Sequence, residues 1–308
     1  MKLKWFSISF LLLIVLLAGV YLFLDPEKNV LDESSRANLG GTYISLSEGV
    51  THYQFDGPEN GPLVVLVHGG TVPAWGWDGQ IKALREAGFR VLSYDKYGRG
   101  YSDRPKTKYD QKLYQEQLFE LINALGITQP FDLIGVSLGG ASAINFTAAY
   151  PEHVRKLILI SPVINNFKVS GMFRVPIVGD FIARIAGVNV IIDRFKSLYG
   201  NYPGLDTYVD LFREQTTYKG FQRSLLSMLR SDALGDYSPA YRIVGKQQRD
   251  VLLIWGMEDT EITEAMIENI KACIPNIEAE PVDSVGHGIL IQKMDTVNNF
   301  IIRFLQTN

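Results

Sequence analysis

Continuous apolar runs alternate with amphipathic segments through the first half of this 308-residue chain. LVVLV (63–67), RVLSY (90–94) and FDLIGV (131–136) have the nearly unbroken hydrophobic pattern of strands that are buried on both faces. The stretches between them have the spacing of helices. This alternation predicts an α/β fold, with a mostly parallel central sheet and helices on both of its faces.

The alternation stops after Ser161. From Pro162 to about Arg249 the sequence offers helical segments and Gly/Pro punctuation but no convincing strand, and DVLLIWG then resumes the pattern. We therefore expect one α/β domain at 42–308 that carries a largely helical insertion at about 163–245.

The first 24 residues have the composition of a membrane segment. Trp5–Leu24 is a run of twenty uncharged residues, which as a helix would extend roughly 30 Å, about the thickness of the hydrocarbon core. Lys2 and Lys4 precede it and predict a cytoplasmic N-terminus with an extracytoplasmic catalytic domain. We expect a single-pass signal-anchor helix at 1–24 and a polar linker at 25–41. A cleaved signal peptide, giving a secreted or periplasmic protein, is the alternative.

Composition narrows the range of partners. The formal net charge is −3 and no Lys/Arg block resembles a phosphate-binding patch, so we expect no nucleic-acid partner. The single cysteine, Cys273, allows neither an intrachain disulfide nor a thiolate zinc site. We find no phosphate loop, metal-ligand cluster or dinucleotide fingerprint, and expect no cofactor and no metal. The sequence leaves the oligomeric state open.

Ser137 stands where a predicted strand, FDLIGV, meets a predicted helix that begins with LGGASA. Gly135 and Gly139 flank it with G-x-S-x-G spacing, the pattern of a nucleophile elbow, in which a strained turn pushes the hydroxyl out of the sheet edge. The N-terminus of the following helix favours developing negative charge. The pattern predicts Ser137 as a nucleophile.

A serine hydroxyl needs a base, and in this kind of fold the chain order is serine, acid, histidine. His153 and His287 follow Ser137; His153 lies in a polar turn, whereas His287 follows a strand and sits between two glycines. We expect His287 to be the base. Asp259 is the preferred acid that would orient the imidazole, and its neighbour Glu258 is the alternative.

Acyl transfer also needs hydrogen-bond donors for the oxyanion. The expected donors are the N–H of Leu138, directly after the nucleophile, and the N–H of Gly70 in the HGGT loop, with Thr71 as an alternative to Gly70. His68 opens that loop, and we expect it to brace the loop rather than to act as a base.

Ser137, Asp259, His287, the HGG motif and YDKYGRGYSDRP together resemble the α/β-hydrolase superfamily, in its serine-nucleophile esterase/lipase or C–C hydrolase branches. The resemblance covers about 43–305 and implies that the insertion is a lid. Dehalogenases and epoxide hydrolases are disfavoured, because their hydrolysable ester intermediate requires a carboxylate nucleophile.

The resemblance implies a serine hydrolase that cleaves small or lipophilic carboxylic esters, such as acylglycerols, through an acyl-enzyme on Ser137. Its expected partners are a small-molecule ester or lipid and, through the N-terminal helix, a membrane. One alternative is a C–C bond hydrolase of the ring-cleavage-product type with the same triad. A non-catalytic receptor or scaffold of the same fold is the other.

Overall fold

The computed structural model describes residues 2–165, 171–200 and 202–307. Eight strands lie in this part of the chain: β1 (Thr42–Leu46), β2 (Gly49–Asp56), β3 (Leu63–Val67), β4 (Arg90–Tyr94), β5 (Phe131–Val136), β6 (Val154–Ile160), β7 (Val251–Gly256) and β8 (Glu278–Val282). They form one sheet in the order β1-β2-β4-β3-β5-β6-β7-β8. β2 pairs antiparallel with β1 and β4, and every other neighbouring pair is parallel. The predicted mostly parallel sheet is confirmed.

The helices of the described residues are α1 (Lys2–Phe23), α2 (Glu33–Leu39), α3 (Asp78–Glu86), α4 (Gln111–Ala124), α5 (Leu138–Ala149), α6 (Gly171–Arg174), α7 (Val178–Ile182), α8 (Val188–Tyr199), α9 (Leu205–Thr216), α10 (Phe221–Leu229), α11 (Ser238–Val244), α12 (Glu264–Cys273), α13 (Ile289–Gln292) and α14 (Met294–Gln306). The last two helices, α13 and α14, are separated by Lys293.

Both faces of the sheet are covered by apolar side chains. In β3, Val65 and Val67 belong to one buried hydrophobic cluster, whereas Val64 and Leu66 belong to the other. This division follows the two-residue period of a strand. The first cluster also contains residues of α4, α5, α8, α9, α10, α11 and α12, and the second contains residues of α3, α13 and α14. The helices on both faces that the alternation predicts are thus present.

The described residues between β6 and β7 are largely helical and contribute no strand to the sheet, as predicted. Their last helix, α11, packs against α5 and α12. The Tyr241 hydroxyl of α11 donates a hydrogen bond of 3.2 Å to the Val163 carbonyl, close to the end of β6. We use "helical insertion" below for α6 to α10.

The N-terminal prediction has a different outcome. Residues 2–23 form α1, but we find no helix in the described part of the chain that is both long and apolar enough to cross a membrane. Met1 and the side chains at 2–4, 13, 14, 17, 18 and 22 lie outside the described residues. The transmembrane helix predicted for 1–24 is thus not supported by the structure, and localisation remains a prediction.

The stretch expected to be a linker, 25–41, contains α2 and contacts the helical insertion. Glu27 accepts hydrogen bonds from the N–H groups of Gly220 (2.7 Å) and Gln222 (2.6 Å), at the start of α10. The N–H of Asn29 donates to the Thr217 carbonyl at 2.9 Å, and Asn29 accepts from the N–H of Lys219 at 2.9 Å. These contacts are hydrogen bonds of backbone groups and of one carboxylate. Because no apolar side chains form them, the sequence shows no hydrophobic periodicity that would predict them.

Candidate active site

The turn between β5 and α5 holds Ser137 in a strained conformation. Its backbone dihedrals are φ 53° and ψ −123°, in a region that residues with a side chain rarely adopt. A Cβ atom on Gly139 would lie 2.1 Å from the Val67 carbonyl oxygen, and one on Gly135 would lie 2.3 Å from the Gly139 oxygen. The tight strand-to-helix turn therefore requires glycine at both flanking positions, and the predicted turn is confirmed.

His287 lies beside the Ser137 side chain, on the loop that follows β8. Its Nε2 atom is 3.0 Å from Ser137 Oγ, and its Nδ1 atom is 2.8 Å from Asp259 Oδ2. The His287 side chain is 10% exposed. The structure therefore brings together the three residues that the sequence nominated, in one chain of hydrogen bonds that ends at the serine hydroxyl.

Asp259, on the loop after β7, is fixed from two sides. Its Oδ1 atom accepts hydrogen bonds from the N–H groups of Glu261 (2.8 Å) and Ile262 (2.9 Å), while Oδ2 faces His287. Burial alone would raise the pKa of Asp259, but the hydrogen bond and charge interaction with His287 and the two N–H donors outweigh it and lower the pKa. The carboxylate is thus kept ionised. Glu258 is exposed, so Asp259 rather than its neighbour occupies the position beside the imidazole.

The loop after β3 is braced by His68, which is buried. The Lys96 N–H donates to His68 Nε2 at 2.8 Å, so Nδ1 carries the proton and donates to the Gly69 carbonyl at 2.8 Å. Burial, with a contribution from nearby Lys96, lowers the pKa of His68 to about 3. The ring is neutral and both of its nitrogens are engaged, as the predicted bracing role requires.

Two further carbonyl groups of this loop are also held by side chains. Arg99 Nε donates to the Gly70 carbonyl at 2.6 Å, and Gln215 Nε2 donates to the Thr71 carbonyl at 3.0 Å. A Cβ atom on Gly70 would lie 3.4 Å from Leu138 Cδ2, so Gly70 and Leu138 are neighbours. Both residues line the same cavity as Ser137. The two expected oxyanion residues are therefore brought together beside the serine.

His153, the histidine that the sequence argument set aside, lies elsewhere. Its ring contacts the aromatic rings of Phe119, Phe131, Phe146 and Tyr150, with centroid separations of 6.0 to 6.5 Å. It does not line the cavity at Ser137. His153 therefore packs in this aromatic cluster and takes no part in the site at Ser137.

A cavity of about 290 Å³ opens on Ser137 and His287. Most of its wall is apolar and comes from the helical insertion: α8 contributes Val188, Val190, Ile191, Phe195 and Leu198, and α10 contributes Phe221, Leu225, Leu226, Met228 and Leu229. The cavity can therefore enclose a lipophilic group next to the serine. In the described part of the chain, no group of three or more His, Cys, Asp or Glu side chains is arranged to hold a metal ion.

Two polar residues of this region were missed by the sequence argument. Arg194 of α8 lines the cavity, and its Nε donates to Glu261 Oε1 at 2.9 Å, while its Nη2 contacts Oε2. Glu261 Oε2 also lies 3.6 Å from His287 Nε2. The position of Glu261, two residues after Asp259, was the one available signal. Arg194 occupies an ordinary position on an amphipathic helix, with no local pattern that marks it.

The chain is similar in sequence and fold to several known proteins. The chain is 25% identical over 265 residues to a carboxylesterase of Bacillus subtilis (strain 168), with 85% of this chain and 86% of that protein covered. It is 26% identical over 223 residues to a 2-hydroxymuconate semialdehyde hydrolase of Pseudomonas putida, covering 70% and 76%. Among solved structures, the enol-lactonase from Burkholderia xenovorans LB400 superimposes with a TM-score of 0.72 at 21% identity, covering 86% of this chain and 100% of that one.

The model of the α/β-hydrolase fold family matches residues 62–293, about three quarters of the chain. The matched range contains Ser137, Asp259 and His287, together with all of the helical insertion. The protein therefore belongs to the α/β-hydrolase family, whose members among its relatives include both an esterase and a C–C hydrolase.

Proposed function

We propose that this protein is a serine hydrolase that cleaves carboxylic esters. The observation that carries the proposal is the hydrogen-bonded chain from Asp259 through His287 to Ser137, which ends at the wall of an apolar cavity. Each member has the position that acyl transfer needs: a nucleophile, a base that faces it, and an ionised acid behind the base.

In the proposed reaction, Ser137 Oγ attacks the ester carbonyl carbon while His287 Nε2 takes the hydroxyl proton. The N–H groups of Gly70 and Leu138 stabilise the oxyanion of the tetrahedral intermediate. Collapse of the intermediate breaks the bond to the alcohol oxygen, which leaves with the proton from His287. Water then attacks the acyl-enzyme with His287 again as the base, releasing the carboxylic acid and free Ser137. Asp259 holds the imidazole and stabilises its protonated form throughout.

The cavity wall supports the proposed substrate class. Apolar side chains of α8 and α10 favour small or lipophilic acyl groups, of the kind found in acylglycerols. We propose that the helical insertion serves as the lid that encloses such groups and excludes water from the serine.

A C–C bond hydrolase is the second candidate. It is favoured by the similarity to the 2-hydroxymuconate semialdehyde hydrolase and would use the same three residues. The apolar wall favours ester hydrolysis over C–C bond hydrolysis, because products of ring cleavage carry carboxylates that this wall would desolvate. A non-catalytic receptor is disfavoured, since Ser137, Asp259 and His287 are all present and in contact.

Localisation is also a proposal. The uncharged run Trp5–Leu24 behind Lys2 and Lys4 supports a membrane-held N-terminus with the catalytic domain outside the cytoplasm. Release after signal cleavage is the alternative.

Covalent labelling and an ester series test the proposed activity together. A fluorophosphonate probe should label the wild-type protein and leave Ser137→Ala unlabelled. The wild type should hydrolyse para-nitrophenyl esters of graded acyl length, and circular dichroism should show the same fold for both proteins. Equal labelling of Ser137→Ala would exclude Ser137 as the nucleophile. Cleavage of a ring-cleavage product in preference to every ester would favour the C–C hydrolase.

A further inference from the structure

The cavity wall contains a single fixed charge. Among the described residues that line the cavity, Arg194 is the one Lys, Arg, Asp or Glu side chain. Glu261, its partner, does not line the cavity and approaches Arg194 from the side of the catalytic loops. An unpaired guanidinium at this place would attract a substrate carboxylate, and the pairing removes that attraction.

The position of Glu261 is fixed by the catalytic acid. Its backbone N–H donates to Asp259 Oδ1 at 2.8 Å, and its side chain is only 14% exposed. Both guanidinium contacts fall on this carboxylate, one on each oxygen, which is the bidentate geometry of strong arginine–carboxylate pairs. The charge of Arg194 is therefore neutralised by a group that the active site itself holds in place.

Glu261 adds a second electrostatic effect. Its Oε2 atom is 3.6 Å from His287 Nε2, the nitrogen that faces Ser137. A negative charge this close to the reacting atoms repels an anionic substrate that enters the cavity. Neutralisation of Arg194 and repulsion near His287 thus act in the same direction.

We propose that Glu261 is a specificity-determining residue, which cancels the charge of Arg194 and thereby restricts the cavity to uncharged acyl groups. This inference rests on the proposed esterase function. It accounts for a cavity that is otherwise apolar but has an arginine in its wall. It also predicts that removal of the Glu261 carboxylate shifts the substrate preference towards acyl groups that end in a carboxylate.

The test compares two esters with equally long acyl chains, para-nitrophenyl hexanoate and mono-para-nitrophenyl adipate. We expect the full-length wild type to have a much lower kcat/KM for the adipate ester. Glu261→Gln should raise the adipate-to-hexanoate ratio of kcat/KM by roughly tenfold. This is the size of effect expected when the partly exposed Arg194 guanidinium attracts one substrate carboxylate. High salt should reduce this gain. The double variant Glu261→Gln/Arg194→Gln should lose most of it and keep only the part that comes from removing the negative charge near His287.

Glu264→Gln is the matched control, because it removes the same charge from an exposed position that does not line the cavity. It should leave the ratio unchanged. If Glu261→Gln lowers kcat/KM equally for both esters, the ion pair only attaches α8 to the catalytic loop and the inference is wrong. A gain that persists undiminished in the double variant would exclude Arg194 as the charge that Glu261 cancels.

Binding separates this inference from the proposed activity. In the Ser137→Ala background, calorimetry can compare the Kd of the para-nitroanilides of the same two acids, with and without Glu261→Gln. A shift of the Kd ratio towards the adipate derivative supports the inference even if the wild type hydrolyses no ester. An unchanged Kd ratio would overturn it, whereas absent ester turnover would count against the proposed function.

Discussion

His287 Nε2 lies 3.0 Å from Ser137 Oγ, although 150 residues separate the two in the chain. Their loops follow β8 and β5, which run in the same direction in the sheet, so the carboxyl ends of both strands open onto one edge. The loop after β7 brings Asp259 to the same edge. Parallel topology therefore assembles the site, as in other open α/β sheets.

The first prediction concerns the choice of acid. Asp259→Asn should keep the shape of the side chain but favour the wrong imidazole tautomer, and kcat should fall on the order of 10⁴-fold, as for a triad aspartate. Glu258→Gln should change kcat little, because Glu258 is exposed and the His287 contact belongs to Asp259. Steady-state kinetics on one activated ester measures both variants.

Thermal unfolding of the same two variants controls for folding. A large loss of kcat with Glu258→Gln next to a small loss with Asp259→Asn would reverse the assignment. Small losses with both would mean that another group orients His287.

A second prediction concerns the turn at Ser137. In Gly139→Ala the new Cβ would meet the Val67 carbonyl at 2.1 Å, and backbone atoms there have no room to move. We expect a loss of about 1–3 kcal/mol or more in the free energy of unfolding, together with loss of activity. Gly171→Ala is the control, since no atom of the described residues lies within 4 Å of its Cβ position. Equal melting temperatures of the two variants would contradict the close approach.

Part of this architecture follows from local sequence and part does not. The turn at Ser137 was predictable because G-x-S-x-G spacing between a strand and a helix is a local pattern, although the contact that demands Gly139 is with the Val67 carbonyl of β3. His287 and Asp259 were predictable because chain order and strand ends fix which residues reach the sheet edge. Arg194 was not, because its role depends on how α8 lies on the catalytic loops, which no helical periodicity encodes.

The N-terminal stretch shows the same limit. Its polar composition predicts a linker, yet Glu27 accepts hydrogen bonds at the start of α10. A chain that begins at Asp25 keeps these contacts, and one that begins at Glu33 loses them. We expect the shorter chain to have a melting temperature several degrees lower, because the N–H groups of Lys219, Gly220 and Gln222 lose their acceptors, at about 1 kcal/mol each.

Single substitutions locate this effect. Glu27→Ala should reproduce the part of the loss that comes from the Gly220 and Gln222 contacts. Lys28→Ala, at an exposed neighbour, should leave the melting temperature unchanged. If Glu27→Ala and Lys28→Ala unfold at the same temperature, the contact with α10 adds nothing to stability.

The membrane proposal yields a fourth prediction. The full-length protein should stay with the membrane during carbonate extraction, whereas a chain that begins at Asp25 should be soluble and active. The physical reason is the uncharged run Trp5–Leu24, which water solvates poorly. Extraction of the full-length protein into the soluble fraction would argue against an anchor, and a mature N-terminus close to Asp25 would show a cleaved signal.

The last prediction concerns pH and His68. Burial lowers the pKa of this imidazole from 6.5 to about 3, so below pH 6.5 the unfolded chain binds a proton that the folded protein does not. Folding stability contributed by neutral His68 is therefore fully present above pH 6.5 and is lost progressively as the pH falls towards 3, by roughly 1.4 kcal/mol per pH unit.

His68→Phe cannot titrate, but it leaves the Lys96 N–H without its acceptor, which costs about 1–3 kcal/mol at pH 7. Urea unfolding at several pH values between 7 and 4 should show the wild type well above the variant at pH 7 and the difference shrinking as the pH falls. Other titrating groups contribute equally to both proteins, so the difference isolates His68. Two parallel stability curves would mean that His68 is solvated or protonated in the folded protein, and its bracing of the Gly69 carbonyl would have to be given up.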